Sequence, residues 1–192
     1  MICVGKKGPN FNCQAVVDGQ IKTISLSDFE GKYKVIFFYP LDFTFVCPTE
    51  LHAFQELLPE FEKRNTQLLG VSVDSVYSHL AWLKTPRAKG GIEGVSYPLI
   101  SDINKTISKE YGVLDESQGV ALRGVFILDK DNCIQSLTVN NLSLGRNIHE
   151  FVRLIDALQH VEKYGQVCPA NWNLGEKAMN PTNKGLAEYF DK

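Results

Sequence analysis

The sequence holds little that would point to nucleic acid, a membrane or an oxidising compartment. It has no basic tract, and 20 Lys and Arg against 22 Asp and Glu leave a formal charge of −2, so there is no electrostatic case for a polyanionic partner. No run approaches the ~20 apolar residues that a spanning helix needs. The opening Met1-Ile2-Cys3-Val4-Gly5-Lys6-Lys7 turns polar before an apolar targeting core could form. The cysteines, Cys3, Cys13, Cys47, Cys133 and Cys168, are odd in number and lack metal-ligand spacing. With 192 residues and 44% hydrophobic content, one sizeable core forms without cross-links. Most thiols are therefore expected to be free, any disulfide to be functional, and the protein to be cytoplasmic. The sequons at Asn104 and Asn141 carry no weight without secretion. There is no internal repeat and no low-complexity segment.

The apolar pattern alternates between strand and helix. Phe11 to Val17 and Gln20 to Leu26 flank Asp18-Gly19, a pair suited to the positive φ of a tight hairpin turn. Tyr33 to Tyr39 is a continuous apolar run of the kind buried on both faces of a sheet. Leu51, Phe54, Leu57, Leu58 and Phe61 recur at helical spacing, so a helix is expected over about 48–64, kinked at Pro59. Leu68 to Val73 reads as a second buried strand, Ser75 to Leu83 as a helix, 84–94 as a loop and Asn104 to Tyr111 as a helix stopped at Gly112. Val125 to Leu128 and Ile134 to Val139 form a second hairpin, and Ile148 to Val161 mark a long helix ending near Gly165. This order predicts an α/β fold of thioredoxin-like type, with a mixed central sheet flanked by helices. A domain over 1–165 would be followed by a C-terminal tail over 166–192.

Between the buried strand and the helix lies Tyr39-Pro40-Leu41-Asp42-Phe43-Thr44-Phe45-Val46-Cys47-Pro48-Thr49-Glu50, where α/β sheets place their ligands. Pro48 suits a first helical position and Glu50 a capping-box acid, which makes Cys47 the expected N-cap. Unpaired N–H groups and the positive end of the helix dipole favour an anion there, so a thiolate is the expected resting form. A buried structural cysteine is the bland alternative, and the strand-to-helix setting speaks against it. A dithiol oxidoreductase would carry Cys-x-x-Cys, but position 50 is Glu. A cysteine phosphatase would want arginine at 53, which is Ala. None of His52, His79, His149 and His160 sits in a protease-like context, and these are expected to be surface or helix residues.

Pro40, Thr44 and Cys47 form Pro-x-x-x-Thr-x-x-Cys, and this stretch resembles the active-site signature of the peroxiredoxins. Gly165-Gln166-Val167-Cys168-Pro169-Ala170-Asn171-Trp172 is similar to the resolving-cysteine segment of the typical 2-Cys subfamily, which includes bacterial alkyl hydroperoxide reductase peroxidases. Leu122-Arg123-Gly124-Val125-Phe126-Ile127-Leu128-Asp129 is similar to the family's active-site arginine and following strand. The resemblance runs from about Gly5 to Phe190.

That resemblance implies a thiol peroxidase in antioxidant defence and redox signalling, acting on hydrogen peroxide and organic hydroperoxides. The Cys47 thiolate would attack one peroxide oxygen in line while the other leaves with negative charge. Arg123 would stabilise that charge, Thr44 would hydrogen-bond the peroxide, and Pro40 would shield the thiolate from water. Glu50 with Arg146 would hold Arg123 in place. The Cys47 sulfenic acid would condense with Cys168 of a partner subunit. A homodimer, associating into a ring of five dimers, is thereby implied. A thioredoxin-like or flavoprotein reductase would restore the dithiol. No metal, haem, flavin or other cofactor is called for in this chain. Cys3, Cys13 and Cys133 are expected to be ordinary thiols.

Two rival readings remain at this level: a thiol–disulfide oxidoreductase on the same fold, and a holdase chaperone acting through assembly and apolar surface. The loop Gly90-Gly91-Ile92-Glu93 departs from the Gly-Gly-Leu-Gly of overoxidation-sensitive relatives, whereas Tyr189-Phe190 matches their tail motif. The sequence therefore points both ways on sensitivity to excess peroxide.

Overall fold

The structure is a computed structural model that describes residues 2–191. It divides into two units, residues 1–148 and 149–192. The 165/166 boundary expected from sequence lies inside the second unit, just past its long helix.

The first unit is built on a seven-stranded sheet. In chain order its strands are β1 (Asn12–Val17), β2 (Gln20–Ser25), β3 (Tyr33–Phe38), β4 (Thr66–Ser72), β5 (Leu99–Ser101), β8 (Arg123–Leu128) and β9 (Ile134–Asn140), while β6 (Leu114–Asp115) and β7 (Val120–Ala121) form a small separate ladder. The spatial order is β2-β1-β5-β4-β3-β8-β9. β3, β4 and β5 pair in parallel, and the remaining pairs are antiparallel. The mixed sheet expected from the alternating pattern is thus present. The first hairpin closes at Val17↔Gln20 through Asp18 (φ 53°) and Gly19 (φ 71°), both left-handed as a two-residue primed turn requires.

β3 lies inside the sheet and every one of its residues is buried. Successive side chains alternate between faces. Phe37 stacks on Phe54 of helix α1 (Cys47–Glu56) at 4.0 Å, and Phe38 meets Tyr111 and Phe126 at 5.3 and 5.8 Å on the other face. On the Phe37 face Tyr39 also meets Trp82 of α3 (Val76–Leu83). On the Phe38 face Ile107 of α4 (Thr106–Glu110) joins the core with Ile36, Leu69, Val71 and Ile100. The sheet thus has a helix layer on each side.

The single kinked helix expected over 48–64 is two helices, α1 and α2 (Leu58–Lys63), separated at Leu57. Pro59 has no N–H to return to Gln55, and its ring crowds that carbonyl, so the chain restarts with Pro59 in the first turn of α2. Three short strands were not legible: β5, β6 and β7 are too brief to show a period. β8 begins two residues earlier than its apolar run, because Arg123 and Gly124 carry no strand signal.

The second unit holds the body of α5 (Ile148–Tyr164) and α6 (Asn183–Phe190). The tail therefore has a helix over Leu186 to Phe190, which sequence reading left as a cluster of apolar residues. Thr182 caps it by accepting from Gly185 N. Among the described residues, no helix is long and apolar enough to cross a membrane.

Candidate active site

β3 ends at Phe38 and the chain turns at Pro40, which is buried, into the loop that leads to Cys47. The Thr44 hydroxyl donates to the Leu41 carbonyl at 2.9 Å, so the loop is closed on itself. Cys47 is the first residue of α1, with Val46 at the cap and Pro48 second. The expected N-cap is thus one residue off, because Val46 has helical φ and ψ and its carbonyl receives the N–H of Thr49 and Glu50. Glu50 is consequently not the capping-box acid. Two buried guanidinium groups take its carboxylate instead.

Arg123, first residue of β8, donates from Nη1 to Cys47 Sγ at 3.4 Å and to Glu50 Oε2 at 2.7 Å. Its Nε donates to the Leu142 carbonyl at 2.7 Å, fixing the plane of the fork. Arg146 donates from Nε to Glu50 Oε1 and from Nη2 to Glu50 Oε2, both at 2.8 Å. Its Nη1 reaches the Phe38 and Gly124 carbonyls, each at 2.8 Å, so it also joins the ends of β3 and β8. Cys47 is wholly buried and Arg123 and Glu50 are each 3% exposed. One carboxylate faces two guanidinium groups, which leaves an excess positive charge directed at the sulfur. Such an arrangement suits an anion at Cys47 and negative charge developing beside it.

The structure therefore brings Cys47, Arg123, Glu50 and Arg146 into direct contact, and places Pro40 and Thr44 on the loop that precedes Cys47. Cys168 belongs to the second unit. There its Sγ lies 3.7 Å from the Ala157 carbonyl on α5. Burial pushes this thiol up, and Arg153 partly offsets the effect. Arg153 is itself held by both oxygens of Glu150 at 2.7 Å and donates to the Trp172 carbonyl. Of the other thiols, Cys3 is exposed and Cys13 and Cys133 are half-buried. Burial, with the charge of Asp102, pushes Cys13 up to about 11, which keeps it protonated.

Sequence reasoning missed a buried network beneath the loop. Tyr39 Oη donates to Asp42 Oδ1 at 2.9 Å, His79 Nδ1 lies 2.8 Å from Asp42 Oδ2, and His79 Nε2 lies 3.2 Å from the Ile100 carbonyl. The Asp42 N–H donates to Asp74, which also accepts from Ser72. His79 is a helix residue, as expected, yet it is wholly buried, and His52 is buried too. Asp42 inside the Cys47 loop was the available signal, since an acid next to a strand end needs a partner from another element.

Known proteins are similar to this chain over nearly its whole length. The AhpC/TSA family pattern matches residues 4–137, and the C-terminal domain of 1-Cys peroxiredoxin matches residues 157–192. The chain is 56% identical over 188 residues to the chloroplastic 2-Cys peroxiredoxin BAS1 of Hordeum vulgare, covering 97% of this chain and 90% of that protein. It is 50% identical to a thioredoxin peroxidase of Echinococcus granulosus, with 97% of each covered. The crystal structure of reduced Plasmodium vivax 2-Cys peroxiredoxin superposes with a TM-score of 0.96 at 49% identity, covering 98% of each chain.

Proposed function

The chain belongs to the AhpC/TSA family, among its 2-Cys peroxiredoxins, and on that premise we propose a mechanism for its peroxidase activity in which Cys47 is the peroxide-attacking thiolate and Cys168 of a partner subunit resolves it. The observation that carries the proposal is the 3.4 Å approach of Arg123 Nη1 to Cys47 Sγ. Arg123 is in turn fixed by Glu50, and Glu50 by Arg146.

In the first step the Cys47 thiolate attacks one oxygen of the peroxide. The O–O bond breaks, its electron pair leaves with the other oxygen, and that oxygen takes up a proton as water or an alcohol. Cys47 becomes a sulfenic acid. Arg123 stabilises the charge on the departing oxygen while Glu50 and Arg146 keep its fork from turning away. Pro40 excludes water from the sulfur, and the Thr44 hydroxyl exchanges its bond to Leu41 for one to the peroxide.

In the second step the Cys168 thiol condenses with the sulfenic acid, giving a disulfide and water. Residues 166–192 act as the tail that delivers Cys168. The protein self-associates; as the finer assembly we propose a dimer carrying Cys47–Cys168 disulfides across its interface, five such dimers closing a ring. A thioredoxin-like protein or flavoprotein reductase returns the disulfide to two thiols by exchange. A reductase-dependent cycle suits a reducing compartment, for which we propose the cytosol.

One experiment tests the assignment. Peroxide-treated protein on a non-reducing gel should run as a dimer, Cys168→Ser should leave it monomeric, and Cys47→Ser should abolish both dimer and peroxide consumption. A Cys47→Ser protein that still consumed peroxide would remove the assignment.

A further inference from the structure

Cys168 sits in a segment tied to α5 at both ends. At one end its Sγ lies 3.7 Å from the Ala157 carbonyl. At the other, the Trp172 N–H closes a turn onto the Pro169 carbonyl through left-handed Asn171 (φ 62°), a residue type that tolerates the positive φ of such a turn. The Trp172 ring is buried and meets His160 of α5 at 4.9 Å, and its carbonyl accepts from Arg153 Nη1 at 2.9 Å. Arg153 stands about one helical turn before Ala157. The guanidinium and the sulfur therefore share one face of α5.

Arg153 is itself fixed by Glu150, whose two oxygens take its Nε and Nη2 at 2.7 Å each. Other titratable side chains around the segment have partners of their own: His160 Nε2 lies 3.0 Å from Gln166 Oε1, Glu176 Oε2 accepts from the Asn173 N–H at 2.8 Å, and Lys177 Nζ donates to the Glu188 carbonyl. Burial works against a thiolate at Cys168, and Arg153 is the charge that works for it. A thiol attacks as its thiolate, so a cation beside the sulfur bears directly on the rate of resolution.

We propose that Arg153 is a positioning residue for the second step: held by Glu150, its guanidinium anchors the turn that follows Cys168 and sets a positive charge beside the sulfur, which favours the attacking thiolate. This rests on the reading that Cys168 resolves Cys47 of the partner subunit. Cys168 gives its proton to solvent, its sulfur attacks the sulfur of the sulfenic acid, the S–O bond breaks, and the departing hydroxide takes up a proton as water. The peroxide has already oxidised Cys47, so no further oxidant is needed. When Sγ leaves the Ala157 carbonyl, the anchored Trp172 keeps it on a tether that spans at most ~14 Å when extended.

The test follows the two steps separately by stopped-flow at low ionic strength, where a partly exposed charge is least screened. Arg153→Gln should leave the first oxidation of Cys47 unchanged and slow disulfide formation at about pH 7 by roughly three- to tenfold. A neighbouring charge alters the acidity of a group by about tenfold to a hundredfold at such a site, and each tenfold loss of thiolate is offset about threefold by the greater nucleophilicity of the more basic sulfur. For the same reason the deficit should shrink as the pH rises towards about 10. Arg153→Lys, which keeps the charge, should restore most of the rate. Glu150→Gln breaks the same ion pair but leaves the cation, and should not slow the step. An unchanged rate in Arg153→Gln overturns the proposal, as does Arg153→Lys behaving like Arg153→Gln. So does a deficit that is equal at every pH or shared by Glu150→Gln, since lost packing alone would produce either. Failure of the underlying reading looks different: Cys168→Ser would then still give a disulfide-linked dimer.

Discussion

Arg123 and Glu50 meet through the guanidinium nitrogen that also faces the Cys47 sulfur: Nη1 lies 2.7 Å from Glu50 Oε2 and 3.4 Å from Cys47 Sγ. The carboxylate therefore fixes the position of the donor at the reacting atom. Its other oxygen binds Arg146, which ties β3 to β8. A single side chain links the geometry of the sulfur to the framework of the sheet.

Glu50→Gln tests that link. The amide keeps the shape but leaves two buried guanidinium groups without an anion, and breaking a buried ion pair from one side costs about 3–5 kcal/mol. Denaturant unfolding should show a loss of that order. Stopped-flow oxidation of Cys47 should slow by about 10–100-fold, the range for losing a partner that orients a reacting group. A stable protein with an unaltered rate would mean that Arg123 holds its place without Glu50.

His79→Leu should act on the same loop from below. It removes the donor to Asp42 Oδ2 in a site where both side chains are buried, and an unpaired buried acceptor costs about 1–3 kcal/mol. The melting temperature should fall. Asp42 lies between Pro40 and Thr44, so the oxidation rate of Cys47 should also fall by several-fold. Lower stability with an unchanged rate would reduce the network to a structural brace.

Much of the fold was legible because β3, α1 and α5 carry long, regular apolar patterns, and the Asp18-Gly19 turn carries its own backbone chemistry. The limits of reading have physical causes. β5 is three residues long, below one clear repeat of any period. The break between α1 and α2 depends on how the chain re-enters a helix after Leu57, which a proline alone does not specify. The cluster of Cys47, Arg123, Glu50 and Arg146 was legible through its motifs, whereas the capping role given to Glu50 was overridden by tertiary ion pairs. The Asp42–His79 pair spans 37 residues, and nothing local in either segment announces the other.

Cys168 gives a prediction about pH. Burial raises its thiol above the ordinary value of 9.0 and Arg153 offsets only part of this. A raised thiol holds its proton more tightly when folded than when unfolded, so its contribution to stability is present below the unfolded value and is lost as pH rises through the folded one. In reduced Cys47→Ser protein, alkylation of Cys168 should still be accelerating above pH 9, followed by peptide mapping. Arg153→Gln removes the lowering influence and should move the midpoint further up; a downward move would show that Arg153 does not act on the thiol.

Gly91 gives the last prediction, one of sterics. A Cβ built on it would lie 1.9 Å from the Thr85 carbonyl oxygen and 2.3 Å from the carbonyl carbon, and backbone atoms cannot rotate aside as a side-chain end could. Gly91→Ala must therefore displace the turn, although its carbonyl is the acceptor for His52 and its neighbour's is the acceptor for Trp82. Losing two buried hydrogen bonds at about 1 kcal/mol each, before any strain, should lower stability by about 2 kcal/mol or more. Hydrogen exchange should locate the loosening at 84–94 and the second half of α1, leaving β3 and β4 protected. An alanine variant as stable as the wild type, with unchanged exchange at His52, would mean that the turn yields without releasing α1.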